Sequence, residues 1–375
     1  MRWERRWSVL LLTGWLWLAL VSTGRAALPS EVRVRLFEAH PGLQSMAVRG
    51  RLRLLAPVTQ SLRGDRFLIL RQPGGLLIRE AGSNRTLFKA QRFRLKPETV
   101  TVSLLPKGTT LKRARTYEGT LDFEAKAGEL VVWNRLPVRD YVATVIGSET
   151  QPNWPLEALK AQAVLTQSRL ARYQPDDALG DSTQQEAFLG AAYHRPNTNQ
   201  AVFAVWGQTL IYQGRTVTPY YHASCAGQTS GGAFFSSAQA MPWLTSVRCL
   251  YCSNAPFAKP TVSYISLSAF QRALPGTSPV ILKWDSANRP LRVQTGQGII
   301  SGYQFWIRLG QRFGWGKAPG TRFQLKPEGD RIRLISTGAG HGVGLCQWGA
   351  SAMARQGKSY REILRFYFPK ATISR

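Results

Sequence analysis

Acidic side chains are scarce in this 375-residue chain: 21 Asp and Glu stand against 49 Lys and Arg, a formal charge of +28. Between Glu186 and Glu328 the one carboxylate is Asp285, so chemistry that runs on carboxylates must be sought elsewhere in the chain. Long apolar runs are lacking too. The run from Ser8 to Val21 is well short of the roughly 20 residues a membrane-spanning helix needs, and no second candidate follows it. Repeats and low-complexity tracts are absent. With 44% hydrophobic and only 19% charged residues, the composition excludes wholesale disorder.

The N-terminus reads as an export signal. Arg2, Arg5 and Arg6 precede the apolar run, and Ser22-Thr23-Gly24-Arg25-Ala26 follows it, with Gly24 and Ala26 at the minus-three and minus-one places of a small-residue cleavage site. Residues 1–26 are expected to be a signal peptide, with an uncleaved N-terminal anchor as the alternative. Either way the bulk of the chain is exported, to the periplasm or cell wall. An exported cation meets anionic wall polymer, glycan or lipid surface and rarely nucleic acid, so no nucleic-acid partner is expected.

From Glu31 to about Glu129 apolar and polar residues alternate in short runs, such as Val32-Arg33-Val34-Arg35-Leu36 and Phe67-Leu68-Ile69-Leu70. Period two means strands with one wet face, which the Arg residues mostly occupy. Near Leu136 the period changes. Tyr141, Val142, Val145, Ile146 and Glu149 share one helical face. Pro155 suits the first turn of a second helix, whose buried side is Leu156, Leu159, Ala163, Thr166 and Leu170. A helical hairpin with Glu149 at its bend results. Strand signals return at Val202–Val205, Thr209–Tyr212 and Thr216–Tyr221. Residues 258–330 read as a β-rich insertion, and a Gly-rich turn, 338–344, precedes helices over 347–355 and 360–367. The expected fold class is α+β: a β-rich region over 27–95, then an α+β core over 96–375 that carries the insertion.

Three ordered blocks carry a family resemblance. The first runs from Leu136-Pro137 through Ser148-Glu149-Thr150 to Trp154-Pro155-Leu156-Glu157-Ala158-Leu159-Lys160-Ala161-Gln162-Ala163-Val164. The second is Tyr220-Tyr221-His222-Ala223-Ser224-Cys225-Ala226-Gly227-Gln228-Thr229, and the third Gly340-His341-Gly342-Val343-Gly344-Leu345-Cys346-Gln347-Trp348-Gly349-Ala350. Over roughly residues 95 to 373 the chain resembles the stage II sporulation protein D family, which includes peptidoglycan lytic transglycosylases and amidase enhancers. It departs from the family pattern at Gln167-Ser168-Arg169, where Arg-Thr-Tyr is usual, at Ala226, where Gly is usual, and at Cys346 and Trp348, where Ser and Tyr are usual.

The resemblance implies that Glu149 is the catalytic acid, and the physics of the position agrees. A carboxyl on an apolar face, at the negative end of a helix, has its pKa raised and can hold a proton near neutral pH. Lytic cleavage of the MurNAc–GlcNAc β-1,4 bond needs no activated water, because the sugar's own hydroxyl closes on its anomeric carbon. It requires no cofactor. A conventional hydrolase would need a second carboxylate about 5 to 9.5 Å away, and Asp140, Glu157 and Asp181 are the candidates near in sequence. Lys160, Gln162, Tyr220, Ser224, His341 and Gln347 are expected to contact substrate, with Tyr221, Trp243, Trp315 and Trp348 as further stacking surfaces. The expected partners are peptidoglycan glycan strands and, on the enhancer reading, a cell-wall amidase; a third reading, a glycan-binding structural protein of the division septum, implies glycan affinity with no bond breaking.

His222-x-x-Cys225 and Cys249-x-x-Cys252 have the paired two-residue gaps of a tetrahedral zinc site. A structural zinc on His222, Cys225, Cys249 and Cys252, in line with the metal that the resemblance implies for some family members near this place, competes with a disulfide from Cys225 to Cys249 or Cys252 and with free thiols. Cys346 reads as a small buried hydrophobe. His40 and His194 have no setting that suggests a role.

Overall fold

The computed structural model describes residues 28–374 except 84, 175–178, 183–184, 236–240 and 275–279. The expected signal peptide, 1–26, lies outside the described residues. Among the described residues no helix is long and apolar enough to cross a membrane.

The alternating N-terminal runs form two antiparallel sheets that face each other. In one, the order is Leu179–Gly180, Glu31–Leu36, Glu129–Pro137, Thr120–Lys126, Arg92–Pro97, Leu52–Ala56 and Gln60–Ser61, with Leu179–Gly180 joined in parallel. In the other it is Arg115–Tyr117, Val102–Pro106, Ser45–Arg49, Arg66–Gln72, Gly75–Glu80 and Thr86–Ala90. Inward residues such as Val32, Val34, Leu54, Ile69, Leu95, Leu104 and Phe123 are buried. Arg33 and Arg35 point outward from between them, as period two requires. The boundary expected at 95/96 falls inside the strand Arg92–Pro97. That strand hydrogen-bonds to Leu52–Ala56 on one side and Thr120–Lys126 on the other, so the β-rich part continues to Pro137.

The strand Glu129–Pro137 leads directly into helix α1, Val138–Glu149, and after the bend comes α2, Leu156–Leu170. Pro155 caps α2 from just outside its first turn. Both helices are buried on most sides, and they share one apolar cluster with the N-terminal sheets. Helix α3, Pro196–Ala204, occupies the place where a strand was expected at Val202–Val205. Pro196 opens it, and Thr198 exchanges hydrogen bonds with the Arg195 backbone N–H and C=O. Buried Thr198, Ala201 and Val202 then follow helical spacing, which overrides the β-branched composition of so short a run.

Residues 261–337 build a second apolar cluster of their own, including Ile265, Phe270, Val293, Phe305, Leu309, Phe323 and Leu334. Two three-stranded sheets supply part of it, and two helices supply the rest: α4, Leu267–Ala273, and α5, Gly302–Phe313. The insertion is therefore α+β and not purely β-rich. The signal for α5 is Ser301 and Gln304, which form a capping box. The chain closes with α6, Gln347–Arg355, and α7, Tyr360–Tyr367. A short parallel pairing of Tyr221–His222 with Leu345–Cys346 brings the second and third sequence blocks together.

Candidate active site

Glu149 is the last residue of α1. The helix ends there because Thr150 turns extended, its N–H and hydroxyl both donating to the Ile146 carbonyl at 3.0 and 2.7 Å. The loop after the second helix is laced to this end. Ala187 N–H donates to Glu149 Oε1 at 2.6 Å, and Leu189 N–H donates to Ser148 Oγ at 3.1 Å. Phe188, between them, is buried against Tyr141, the ring centroids 5.5 Å apart. Gly147 is required two residues earlier, since a Cβ there would sit 1.8 Å from the Tyr193 carbonyl oxygen.

Glu149 reaches a cleft of about 330 Å³ into which all three sequence blocks and the insertion project. Tyr220, Tyr221 and His222 come from the second block, Gly340, His341 and Gln347 from the third, and Arg169 from α2. The insertion adds Tyr303, Trp306 and Ile307 from α5, with Trp315. Phe235 packs against Tyr220, Tyr303 and His341, with ring centroids 4.6, 5.1 and 5.1 Å apart. The wall is thus largely aromatic. Gln347 Nε2 donates to the backbone oxygen of Glu149 and to Gln162 Oε1, both at 3.4 Å, which pins the end of α1 to the start of α6.

Although Glu149 as a residue is partly accessible from the cleft, its carboxyl is deep enough for burial to push its pKa up to about 7. The Ala187 hydrogen bond, Arg169 and Tyr221 pull the other way, while the nearby Glu186 charge adds to the rise. Glu186 is fully buried. Its Oε1 accepts from Thr166 and Tyr221 hydroxyls, each at 3.1 Å, and lies 3.7 Å from Arg169 Nε. Burial still holds the Glu186 pKa above the usual carboxylate range, against the lowering by Arg169. His341 is driven to about 3 by burial, so its ring is neutral. Its Nδ1 accepts from Val343 N–H at 3.1 Å, which leaves the proton on Nε2. His222 is also neutral through burial, and its Nδ1 lies 3.1 Å from the Val343 carbonyl.

A family model described as Stage II sporulation protein matches residues 126–212, the stretch that holds α1, α2 and the Glu186 loop. An uncharacterized protein of Brachyspira hyodysenteriae is 30% identical over 267 residues, 67% of this chain and 70% of that protein. Stage II sporulation protein D of Bacillus subtilis is 27% identical over 268 residues, 64% of this chain and 75% of that protein. The chain belongs to the stage II sporulation protein D family. The Amidase enhancer of Bacillus subtilis is similar as well, 25% identical over 295 residues, which is 61% of this chain and 40% of that protein.

Of the residues that the family motifs suggested for substrate, Tyr220, His341 and Gln347 line the cleft, together with Glu149. The other three sit apart from its lining. Lys160 Nζ pairs with Glu157 Oε1 at 2.6 Å, and Glu157 Oε2 accepts from Tyr360 N–H, a tie between α2 and α7. Gln162 is buried behind Gln347. Ser224 is buried in backbone pairing with Ala339. Among the aromatics, Tyr221 and Trp315 line the cleft, whereas Trp348 packs edge-on against Trp154 and Trp243 Nε1 donates to the Thr218 carbonyl.

None of the three carboxylates considered as a second acid lines the cleft. Asp181 accepts from Phe37 and Glu38 N–H and pairs with Arg115, Glu157 makes the tie just described, and Asp140 lies near His194. The carboxylate that acts on Glu149 is Glu186, which is buried, is itself no part of the cleft lining, and lies outside every motif. Its one sequence signal is that it closes the last acidic stretch before apolar Ala187-Phe188-Leu189. Arg169, noted as a departure from the family pattern, turns out to be the cation at the site.

The sulfurs gather differently from the set that the spacing suggested. Cys225, Cys249, Cys252 and Cys346 have their Sγ atoms within 4.8 Å of one another, all four buried. His222 is outside this group, because its strand turns the imidazole toward the cleft and Val343, and Cys346 takes the fourth place. All four cysteines are free, so the competing Cys225 disulfide is not formed. Ala226 has φ +59°, the left-handed conformation that explains why Gly is customary there.

Proposed function

We propose that the cell-wall-related role of this family is, in this chain, lytic cleavage of peptidoglycan glycan strands at the MurNAc–GlcNAc β-1,4 bond, with Glu149 as both acid and base. The observation that carries the reading is a single carboxyl, held protonated up to about pH 7, at the floor of an aromatic-walled cleft. Protonated Glu149 gives its proton to the glycosidic oxygen as the bond from MurNAc C1 to that oxygen breaks. The C6 hydroxyl of the same MurNAc closes on C1, and its proton returns to Glu149. One carboxyl therefore serves both steps, and no water is consumed.

Glu186 is engaged by Thr166, Tyr221 and Arg169, which suits a positioning residue better than a base for water. It holds the Tyr221 and Arg169 side chains at the cleft and helps keep Glu149 protonated. Tyr220, Phe235, Tyr303 and Trp315 offer ring faces to pyranose rings, and the neutral His341, tied to the Val343 and Tyr221 backbone, holds its place in the same wall.

The test is to incubate the protein with purified glycan strands, with and without stem peptides, and to identify the new ends by mass spectrometry. Anhydro-MurNAc ends support the mechanism, and reducing MurNAc ends refute it. A second reading, wall binding that stimulates a separate amidase, is favoured by the relative named Amidase enhancer. On that reading no glycan ends form, and Glu149→Gln leaves the stimulation intact.

A further inference from the structure

Behind the cleft, the four cysteine sulfurs lie in an otherwise apolar part of the core. Cys225 Sγ is 3.4 Å from Cys252 Sγ, and all four sulfurs fall within 4.8 Å of one another. A tetrahedron of thiolates about a zinc ion at about 2.3 Å has edges of about 3.8 Å. A disulfide would need sulfurs about 2.05 Å apart. Three separate segments deliver the sulfurs: the loop after Tyr221–His222, the Cys249-x-x-Cys252 turn, and the residue just before α6. We infer that Cys225, Cys249, Cys252 and Cys346 form a closed tetrathiolate site for one structural zinc ion.

The surroundings are built as such a site requires. Cys225 N–H points at Cys346 Sγ at 3.4 Å, and the Tyr367 hydroxyl lies 3.2 Å from Cys249 Sγ, so both can donate to thiolate sulfur. The turn through Ala226 and Gly227, with φ +59° and +98°, folds the chain back so that Cys249 N–H donates to the Gly227 carbonyl at 2.9 Å. Gly349 gives the sulfurs room, since a Cβ there would lie 2.9 Å from Cys249 Sγ and 3.4 Å from Cys346 Sγ. Arg289 of the insertion is buried beside the same loop. It donates to the Cys225 carbonyl at 2.6 Å and the Gln228 carbonyl at 2.9 Å, and its charge offsets part of the double negative charge of a zinc tetrathiolate. Four soft donors with no open position fit zinc in a structural role.

The site also has a place in the architecture of the cleft. Cys346 directly precedes Gln347, which holds the end of α1, and Cys225 lies three residues after His222. A metal here would clamp the second and third sequence blocks together immediately behind Glu149.

The experiment is metal analysis of the full chain purified without added metal, together with cobalt exchange. About one zinc per chain is expected, released in step with the blocking of four thiols by a mercurial. The cobalt form should show thiolate-to-metal charge transfer with the intensity of four sulfur ligands. Cys346→Ser should lose most of the metal, whereas His222→Ala should retain it. Should Cys346→Ser fail to fold, the cobalt spectrum of the unaltered protein decides the ligand count. Two disulfides found by non-reducing peptide mapping, iron in place of zinc, four free thiols with no metal, or zinc lost from His222→Ala and kept in Cys346→Ser would each overturn the inference.

Discussion

Ala187 N–H donates to Glu149 Oε1 at 2.6 Å, and with the Leu189 N–H bond to Ser148 Oγ it joins the end of α1 to the loop that carries Glu186. The Ala187 bond favours the ionised carboxylate, so it is burial, outweighing this bond, that keeps the group protonated. The same loop sets Glu186 where its negative charge discourages a second one on Glu149.

Glu149→Gln should abolish glycan cleavage, by about 100-fold or more, because the amide keeps the shape but carries no transferable proton. Its carbonyl oxygen can still accept from Ala187, so the fold and wall binding should persist. Turnover of the variant at the unaltered rate, measured by release of anhydro-MurNAc ends, would remove Glu149 from the mechanism.

The pH dependence follows from the same group. With a folded pKa of about 7 against an ordinary 4.5, the protonated acid is lost as pH rises through 7, and cleavage should fall on that limb. Stability has the same sign. The neutral carboxyl is favoured in the folded state, so the contribution is complete below about pH 4.5 and is lost as pH rises through about 7. Glu149→Gln should therefore be more stable than the unaltered protein at pH 8, by about 1–3 kcal/mol, and the difference should vanish near pH 4. Melting curves across that range check it; a variant less stable at pH 8 would contradict the buried-acid account.

Arg169→Met should destabilise the fold by about 3–5 kcal/mol, since it leaves Glu186 buried without its cation. Adding Glu186→Gln should restore much of the loss. Denaturant titration of the two single variants and the double variant measures the coupling, and strict additivity would show that the two groups do not act as a pair.

Binding to wall glycan should weaken from low to physiological ionic strength, because the contacts come from exposed Arg side chains. One candidate surface is a hollow of about 620 Å³ on the outer face of the first sheet, where Arg33, Arg92, Arg94 and Arg135 surround Trp133. Arg94 and Arg135 both pair with Asp122 and Arg33 stacks on the Trp133 ring at 3.9 Å, so Arg92 is the freer one to meet an anionic partner. Co-sedimentation with purified wall at two salt concentrations, repeated with Arg92→Ala, tests this. Affinity indifferent to both would place binding in the cleft instead.

Much of this molecule is legible one segment at a time. Alternation over Glu31–Leu36 and Arg66–Gln72 specifies strands, helical spacing across Tyr141–Glu149 specifies α1, and Pro155 marks the start of α2, because side-chain period is a local property of the backbone. The placement of Glu149 at a helix end on an apolar face was readable for the same reason. What the local pattern could not resolve was competition between propensity and packing: Val202–Val205 has the composition of a strand, yet Val202 to Ala204 form the end of α3 and Val205 its cap, because Thr198, Ala201 and Val202 find a buried face there.

The sequence by itself determined the α+β class, the hairpin that presents Glu149, and the three blocks that meet around it. Only the tertiary structure decided their company. Glu186 and Arg169 joined the site, Lys160, Gln162 and Ser224 left its lining, and Cys346 replaced His222 in the sulfur cluster. Each depends on which way a side chain faces once segments some 20 to 200 residues apart are packed, and hydrophobic burial, which drives that packing, carries no direction that spacing along the chain can record.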